Sequence, residues 1–429
     1  MIQIVIFWVI TVGALGWAAR RFYYIYRKIR LGRPEYLTDQ PLKRWKNMFL
    51  VAFGQQKMFK RPLSALFHLF IYAAFLLTQI ELVEIISDGF TGKHRLFARP
   101  MRSFYTFLIS FIEILSLLAL VSTIVFLWRR NIKKVKRFHQ PEMMNWPFKD
   151  GNYILLGEII LIAGIFLMNG ADQVLQRIDA AHYPSTGRLV LSGFLADHLF
   201  MGWPDGLLKI IERIGWWLHY LTILAFINYL AFSKHLHILL AFPNTWFIRL
   251  NSRGEMENIP AITQEIKSML GLAQDTQANP AEIPVFGAKD VQDLSWKNLL
   301  DAYTCTECGR CTSVCPANLT GKKLSPRKIM MDVRDRLEEI NLNNKQEHDT
   351  GSLLDRIAET EIWACTTCNA CVEECPVQIN PLDIIIQLRR HLILNESKGP
   401  AEWLPMFNSL ENGGAVWQVN EDRDAWMQT

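Results

Sequence analysis

No cysteine occurs before residue 305 and none after residue 375. A secreted disulfide framework would scatter its cysteines. Eight of them in two tight groups exclude that and point to free thiols in a reducing compartment. The chain also lacks a dinucleotide-binding glycine fingerprint, a phosphate loop and a clear nucleophile–base pair, so nicotinamide, flavin and hydrolytic chemistry have no visible seat. Its first apolar run, Met1 to Ala19, has no basic region before it. Arg20, Arg21, Arg27, Lys28 and Arg30 follow instead, as for a retained anchor with its N-terminus outside. The net charge of +5 is small, and the basic residues cluster beside apolar segments. That pattern suits a membrane face and argues against a nucleic-acid partner.

The 429 residues divide into unlike halves, apolar up to about Phe242 and polar from about Asn251. Five runs are long enough to span ~30 Å of hydrocarbon at ~1.5 Å per residue. They are Ile2–Arg20, Leu63–Ile86, Phe104–Trp128, Tyr153–Met168 and Ile214–Phe242, the fourth being the shortest. Basic residues crowd the stretches after the first and third runs, whereas Asp172, Asp179, Asp197 and Asp205 mark the stretch after the fourth. The positive-inside rule then places the polar C-terminal half in the cytoplasm. Lys93, Arg95, Arg99 and Arg102, after the second run, oppose this weakly.

His68 lies near one end of the second run, and His219 and His237 near opposite ends of the fifth. His68 and His237 fall at matching depth on antiparallel helices, the arrangement that bis-histidine haem ligation requires. The alternative is histidines bonded at helix ends, with His235 and His237 meeting lipid headgroups. The stretches LFHLFIYAAFLL and WWLHYLTILAFINYLAFSKHLH resemble the gamma subunit of respiratory nitrate reductases and related heterodisulfide-reductase-type membrane subunits. The resemblance implies a five-helix cytochrome b in which His68 and His237 hold one haem b and His219 ligates a second. It puts Thr78 where the partner of His219 belongs, and Thr78 cannot fill that role, so a second haem needs His198 or another residue. Glu81, Glu84, Glu113 and Glu158 also fall in or near the spans, where carboxyls are costly and often functional. The place of Glu81 and Glu84 in the last turns suggests exposure at the interface.

Beyond a linker containing Pro280 and Pro284, the chain reads CTECGRCTSVCP from Cys305 and CTTCNACVEECP from Cys365. Both fit C-x₂-C-x₂-C-x₃-C-P, the ferredoxin run for [4Fe–4S] clusters, in which the fourth cysteine serves the other cluster. One cluster is expected on Cys305, Cys308, Cys311 and Cys375, and the other on Cys365, Cys368, Cys371 and Cys315. Zinc ribbons use separated pairs and do not explain a third cysteine and C-P in both motifs. Ser325–Pro326 and Asn380–Pro381 look like N-cap and first-turn pairs, opening helices over about Pro326–Ile340 and Pro381–Leu394. Ile329, Val333 and Leu337 form the apolar stripe of the first. The repeat resembles the α-helical ferredoxin domain of heterodisulfide reductases, succinate dehydrogenase iron–sulfur subunits and glycolate oxidase iron–sulfur subunits. The paired Cys-Cys repeats of the catalytic heterodisulfide reductase subunit are absent.

Arg327, Arg334, Arg336, Arg389 and Arg390 read as a solvated helix face, or else as a docking surface for an acidic partner. Trp403, Trp417 and Trp426 in the tail suggest packing against the domain or a partner.

The expectation is an all-α protein: a transmembrane five-helix domain over 1–250, a linker over 251–294, a dicluster domain over 295–395 and a tail over 396–429. It would sit in the plasma (inner) membrane as an oxidoreductase subunit. Electrons would pass between menaquinone or another quinone, the haem, two [4Fe–4S] clusters and a cytoplasmic catalytic redox subunit. The competing readings are a haem-free ferredoxin tether and a self-sufficient quinone reductase.

Overall fold

The computed structural model describes residues 2–252, 254–256, 258–272, 286–342, 351–416 and 424–428. Pro280, Pro284 and Trp417 lie outside the described residues. Those described form helices and turns with no strand. Five helices are long and apolar enough to cross a membrane. They are α1 (Ile2–Ile29), then, after the short amphipathic α2 (Pro41–Met48), α3 (Pro62–Thr91), α4 (Ser103–Asn131), α5 (Trp146–Ile178) and α6 (Asp205–Leu230).

Two boundaries differ from expectation for physical reasons. The fourth span is not the shortest but extends to Ile178, because Asn169, Asp172 and Gln173 are buried and bonded rather than solvated. Asp172 accepts from Arg95 Nε at 3.3 Å and contacts His94 at 2.8 Å, while Asn169 and Tyr105 also meet the Arg95 guanidinium. Arg95 is 4% exposed, so it is no surface charge. Glu81 and Glu84 are not exposed at an interface either, at 1% and 2%. Glu84 accepts from Phe97 N and the Tyr105 hydroxyl, and Glu113 accepts from Leu191 N and Ser192 N.

The fifth span ends at Leu230 instead of running to Phe242. The chain turns at Ser233, whose hydroxyl accepts from His235 N, and α7 (His237–Trp246) begins at His237. Asp150 on α5 fixes this turn, accepting from Tyr229 and Ser233 hydroxyls at 2.6 and 2.7 Å and from Lys234 N at 3.1 Å. His219 and His237 are therefore on different helices.

Helices α5 and α6 pack backbone to backbone. A Cβ on Gly215 would stand 2.5 Å from Met168 N, and one on Gly164 2.9 Å from His219 N. Only glycine permits that approach.

The C-terminal half carries α8 (Trp296–Thr304), α9 (Pro326–Glu339) and α10 (Pro381–Leu394), each with proline or tryptophan first and a bonded N-cap. Ser295, Ser325 and Asn380 accept from Asn298 N, Lys328 N and Asp383 N, as the sequence suggests for the last two. Ile329, Val333 and Leu337 are fully buried, as expected of the α9 stripe, each stabilising by ~1.5–3 kcal/mol. Ala288, Val291 and Leu294, from the stretch read as linker, join the same core, and Pro260–Met269 within that stretch is helical. Trp403 packs edge-on against Trp363 at 5.2 Å, so this part of the tail folds back on the domain. Trp426 is 74% exposed.

The arginines read as a solvated face are in the interior or paired. Arg327 is 0% exposed and bonds Glu142 and the Arg137 carbonyl. Arg336 pairs with Asp290, Arg334 with Glu307, and Arg389 donates to the Ile362 and Cys365 carbonyls. Arg390 is half-buried.

Removing one partner of a buried pair strands the other charge, at about 3 kcal/mol or more. Glu142→Gln should therefore lower the thermal midpoint of the purified protein, followed by its visible iron–sulfur absorbance. Lys398→Gln, which breaks the exposed pair with Glu396, should leave the midpoint where it is. Equal midpoints for both variants and the parent would contradict a structural role for the Arg327–Glu142 contact.

Candidate iron–sulfur and membrane site

The two cysteine loops share a pattern of left-handed positions. Glu307 and Gly309 in the first, and Thr367 and Asn369 in the second, occupy corresponding positions with φ of +53°, +68°, +54° and +59°. Left-handed residues at these intervals curl the loop around its sulfurs and turn N–H groups inward. Thr367 N donates to Cys365 Sγ at 3.4 Å, and Ile379 N to Cys375 Sγ at 3.3 Å. A Cβ on Gly309 would stand 2.4 Å from Arg327 Nη1, which accounts for glycine in the tighter loop.

Cys305, Cys308, Cys311, Cys371 and Cys375 line one cavity together with Arg310, Met330 and Pro376. Cys315 lies instead within electrostatic reach of Cys365 and Cys371. The fourth cysteine of each motif is thus carried to the other motif's loop. Among the described residues no three His, Cys, Asp or Glu side chains converge tightly enough for a single ion; the thiols instead surround a space. Burial pushes the Cys305 and Cys371 thiols up to about 12 and Cys375 up to about 11. Buried thiols of this kind become thiolates only when a metal centre takes up the charge, so the donor set fits iron–sulfur clusters.

The loops that connect the membrane helices seat both cysteine loops. Lys57 Nζ donates to the Glu373 carbonyl at 2.9 Å, and Arg61 contacts Glu374 at 2.8 Å and Ser313 Oγ at 3.1 Å. Arg310, between Cys308 and Cys311, donates to the Lys57 carbonyl at 3.3 Å. Lys234 pairs with Glu307, between Cys305 and Cys308, at 2.5 Å. Burial opposes ionisation of Glu307, but Arg334 and Lys234 outweigh it and hold its carboxyl below the usual range.

The histidines gather at this same end. His68 lies within electrostatic reach of both His237 and Arg310. Gln55 Oε1 is 3.1 Å from His68 Nδ1, and the Lys234 carbonyl is 3.0 Å from His237 Nδ1. Both carbonyl oxygens only accept, so each Nδ1 carries the proton and each Nε2 keeps its lone pair for a metal. These two side chains fit axial haem ligands. His235 stands beside His237, ring centroids 5.8 Å apart, with its Nδ1 unbonded among the described residues. His219 is held apart from this group, Nδ1 donating to the Leu161 carbonyl at 3.0 Å. His198 is exposed and stacked on Phe194, away from His219's surroundings, so it does not supply the missing ligand. Gln55, Arg310 and the Lys234–Glu307 contact were not legible as site residues. The arginine's place inside a cysteine motif was the only signal.

Residues 304–379 match the 4Fe–4S dicluster domain family. The chain is 30% identical over 434 residues to the probable iron-sulfur-binding oxidoreductase FadF of Bacillus subtilis, covering 93% of this chain and 57% of that protein. It is 25% identical to the EtfAB:quinone oxidoreductase of Syntrophomonas wolfei, covering 91% and 54%. The C subunit of the ferredoxin/F(420)H(2)-dependent CoB-CoM heterodisulfide reductase of Methanosarcina acetivorans is 34% identical over 118 residues, 27% of this chain and 62% of that one. The chain thus spans little more than half the length of the first two relatives. No solved structure matches. The chain is an iron–sulfur protein whose dicluster domain follows five membrane-length helices, and it is related to FadF and to the C subunits of heterodisulfide reductases.

Proposed function

We propose that the chain is a membrane-bound electron-transfer subunit linking a quinone to a cytoplasmic catalytic redox partner. On this reading His68 and His237 hold one b-haem. Cys305, Cys308, Cys311 and Cys375 hold one [4Fe–4S] cluster, and Cys365, Cys368, Cys371 and Cys315 the other. When bound, these groups supply one-electron redox states close to one another. The observation that carries the reading is Arg310: it lines the first thiol cavity and lies within electrostatic reach of His68. The imidazoles and thiols therefore share one wall of protein, and a short gap is what electron transfer needs.

The protein's own part is to fix these donors. Gln55 and the Lys234 carbonyl orient the imidazoles, while Lys57, Arg61 and Lys234 clamp the cysteine loops onto the same end of the bundle. The Syntrophomonas relative, named for EtfAB and quinone, supports a quinone at one end, and the relatives named as C subunits of heterodisulfide reductases support a heterodisulfide-reductase-like partner at the other. The basic stretches after the first and third spans support a cytoplasmic iron–sulfur domain.

The direct test is a dithionite-reduced minus oxidised spectrum of detergent-purified protein, with iron and haem quantified. One b-type haem and eight non-haem irons per chain are expected, and His68→Leu or His237→Leu should abolish the haem bands while leaving the iron in place. Iron without haem in the parent protein would reduce the molecule to an anchored ferredoxin.

Cysteine exchange between the motifs has its own check. Cys375→Ala should cost the cluster on Cys305, Cys308 and Cys311, and leave about four irons per chain. Paramagnetic resonance of the remaining centre should match that of a Cys308→Ala variant. A Cys375→Ala spectrum matching Cys368→Ala instead would overturn the assignment.

A further inference from the structure

A cavity of about 300 Å³ opens inside the membrane bundle between α3, α4, α5 and α6, reaching α7 at its inner end. Its wall is apolar except for Thr78, Gln79, Ser116, Glu158, His219 and His235. It occupies the region between Thr78 and His219, where the family resemblance implies a second haem. The residues present do not fit that haem. Thr78 offers a hydroxyl that already donates to the Phe75 carbonyl at 3.2 Å. Among the described residues no lysine or arginine lines the cavity to balance two propionates, and the one acid there, Glu158, has the wrong sign.

What the wall does offer is two acceptors for protons. His219 is 2% exposed, and its Nδ1 proton is committed to the Leu161 carbonyl, so Nε2 is a lone-pair acceptor. The Gly164–Gly215 contact of α5 with α6 holds this imidazole against the α5 backbone. Glu158 lies three residues before Leu161, ~4.5 Å along α5, and its carboxyl bonds no other described side chain. The two groups therefore face one cavity. A mostly apolar cavity of ~300 Å³ or more with a few placed polar groups is the usual form of a small-molecule site.

We propose that this cavity is the head-group site of a membrane quinone, with His219 Nε2 and the Glu158 carboxylate as the bases for its two hydroxyls. The assignment rests on the proposed relay and gives its quinone a place. Oxidation of a hydroquinone breaks two O–H bonds. One proton goes to His219 and one to Glu158, and the two electrons go to the one-electron iron–sulfur and haem acceptors of that relay. Quinone reduction is the same step reversed. The inner end of the cavity reaches His235, next to Lys234, whose ammonium meets Glu307 in the first cysteine loop. The quinone pocket and the thiols are joined by this one turn of chain.

The test is fluorescence-quench titration of the full chain in detergent with the quinol mimic heptyl-hydroxyquinoline N-oxide, for the parent, Glu158→Gln and His219→Gln. Each variant should weaken binding tenfold or more while iron, haem and elution volume stay unchanged. Parental affinity in both variants, or loss of a haem in His219→Gln, would overturn the site. If the parent binds the probe and the variants bind equally well, the relay survives and only this cavity is excluded. If the parent neither binds the probe nor passes electrons from its dithionite-reduced centres to a short-chain naphthoquinone, the relay itself fails.

Discussion

Buried cations decide how the two halves of this chain meet. Lys28, Arg44, Lys297 and Arg327 are all at most 3% exposed, and a cation removed from water is tolerable only beside a fixed partner. Three of those partnerships join the membrane half to the dicluster domain. Lys28 of α1 stands 3.4 Å from Glu338 of α9, Arg327 of α9 is held by Glu142, and Lys297 of α8 donates to Asn244 of α7 at 3.0 Å. Such pairs add little net stability, but each is expensive to misplace, so they select one orientation. The bridge between Arg33 and Ser295 adds a backbone clamp, and Gly32 makes room for it: a Cβ there would stand 2.5 Å from Trp296 N. The site depends on this seating, because Arg310 reaches His68 only when the dicluster domain is docked in this one pose.

Pattern-level features were legible in the sequence because they are local. Cysteine spacing announced both loops, a polar residue followed by proline announced α9 and α10, and hydropathy located every span. The errors came from residues whose meaning depends on a distant partner. Asn169 and Asp172 looked like the end of a span, since nothing nearby reveals Arg95 folding back to receive them. Leu230 to Phe242 reads as one apolar run, and hydropathy cannot register a turn that Asp150, some eighty residues earlier, imposes through Tyr229, Ser233 and Lys234. Arg327, Arg334, Arg336 and Arg389 looked solvated for the same reason, as carboxylate and carbonyl partners reach them from other elements.

The histidines come near one another by a route the hydropathy pattern does not suggest. His68 and His237 were matched as equal depths on two antiparallel spans. The structure brings them together differently, with His237 opening α7 after a tight turn. That turn also delivers Lys234 to Glu307 and His235 to the bundle cavity. A continuous fifth helix would set Lys234 and His237, three residues apart, side by side on one face, with His235 ~100° round from Lys234. Breaking the helix lets Lys234 serve the thiol loop, His235 the cavity and His237 the approach to His68.

Electron chemistry and proton chemistry make opposite demands on an interior. Thiolates that hold redox centres need dry, fixed positions close together, and the cysteines cluster at the end where cationic loops clamp their motifs. Carboxyls that exchange protons are costly in hydrocarbon and persist only where the fold encloses them. Here they lie within the bundle, at Glu158, and toward its far end, where Glu81, Glu84, Asp88, Glu113 and Asp172 surround the single guanidinium of Arg95 or border its partners. Both Glu81 oxygens and both Glu212 oxygens accept no hydrogen bond among the described residues despite full burial. A purely structural anchor gains nothing from buried carboxyls without hydrogen bonds, each of which works against folding. On the proposed relay, electrons would pass at the thiol end while these carboxyls handle protons in the rest of the bundle.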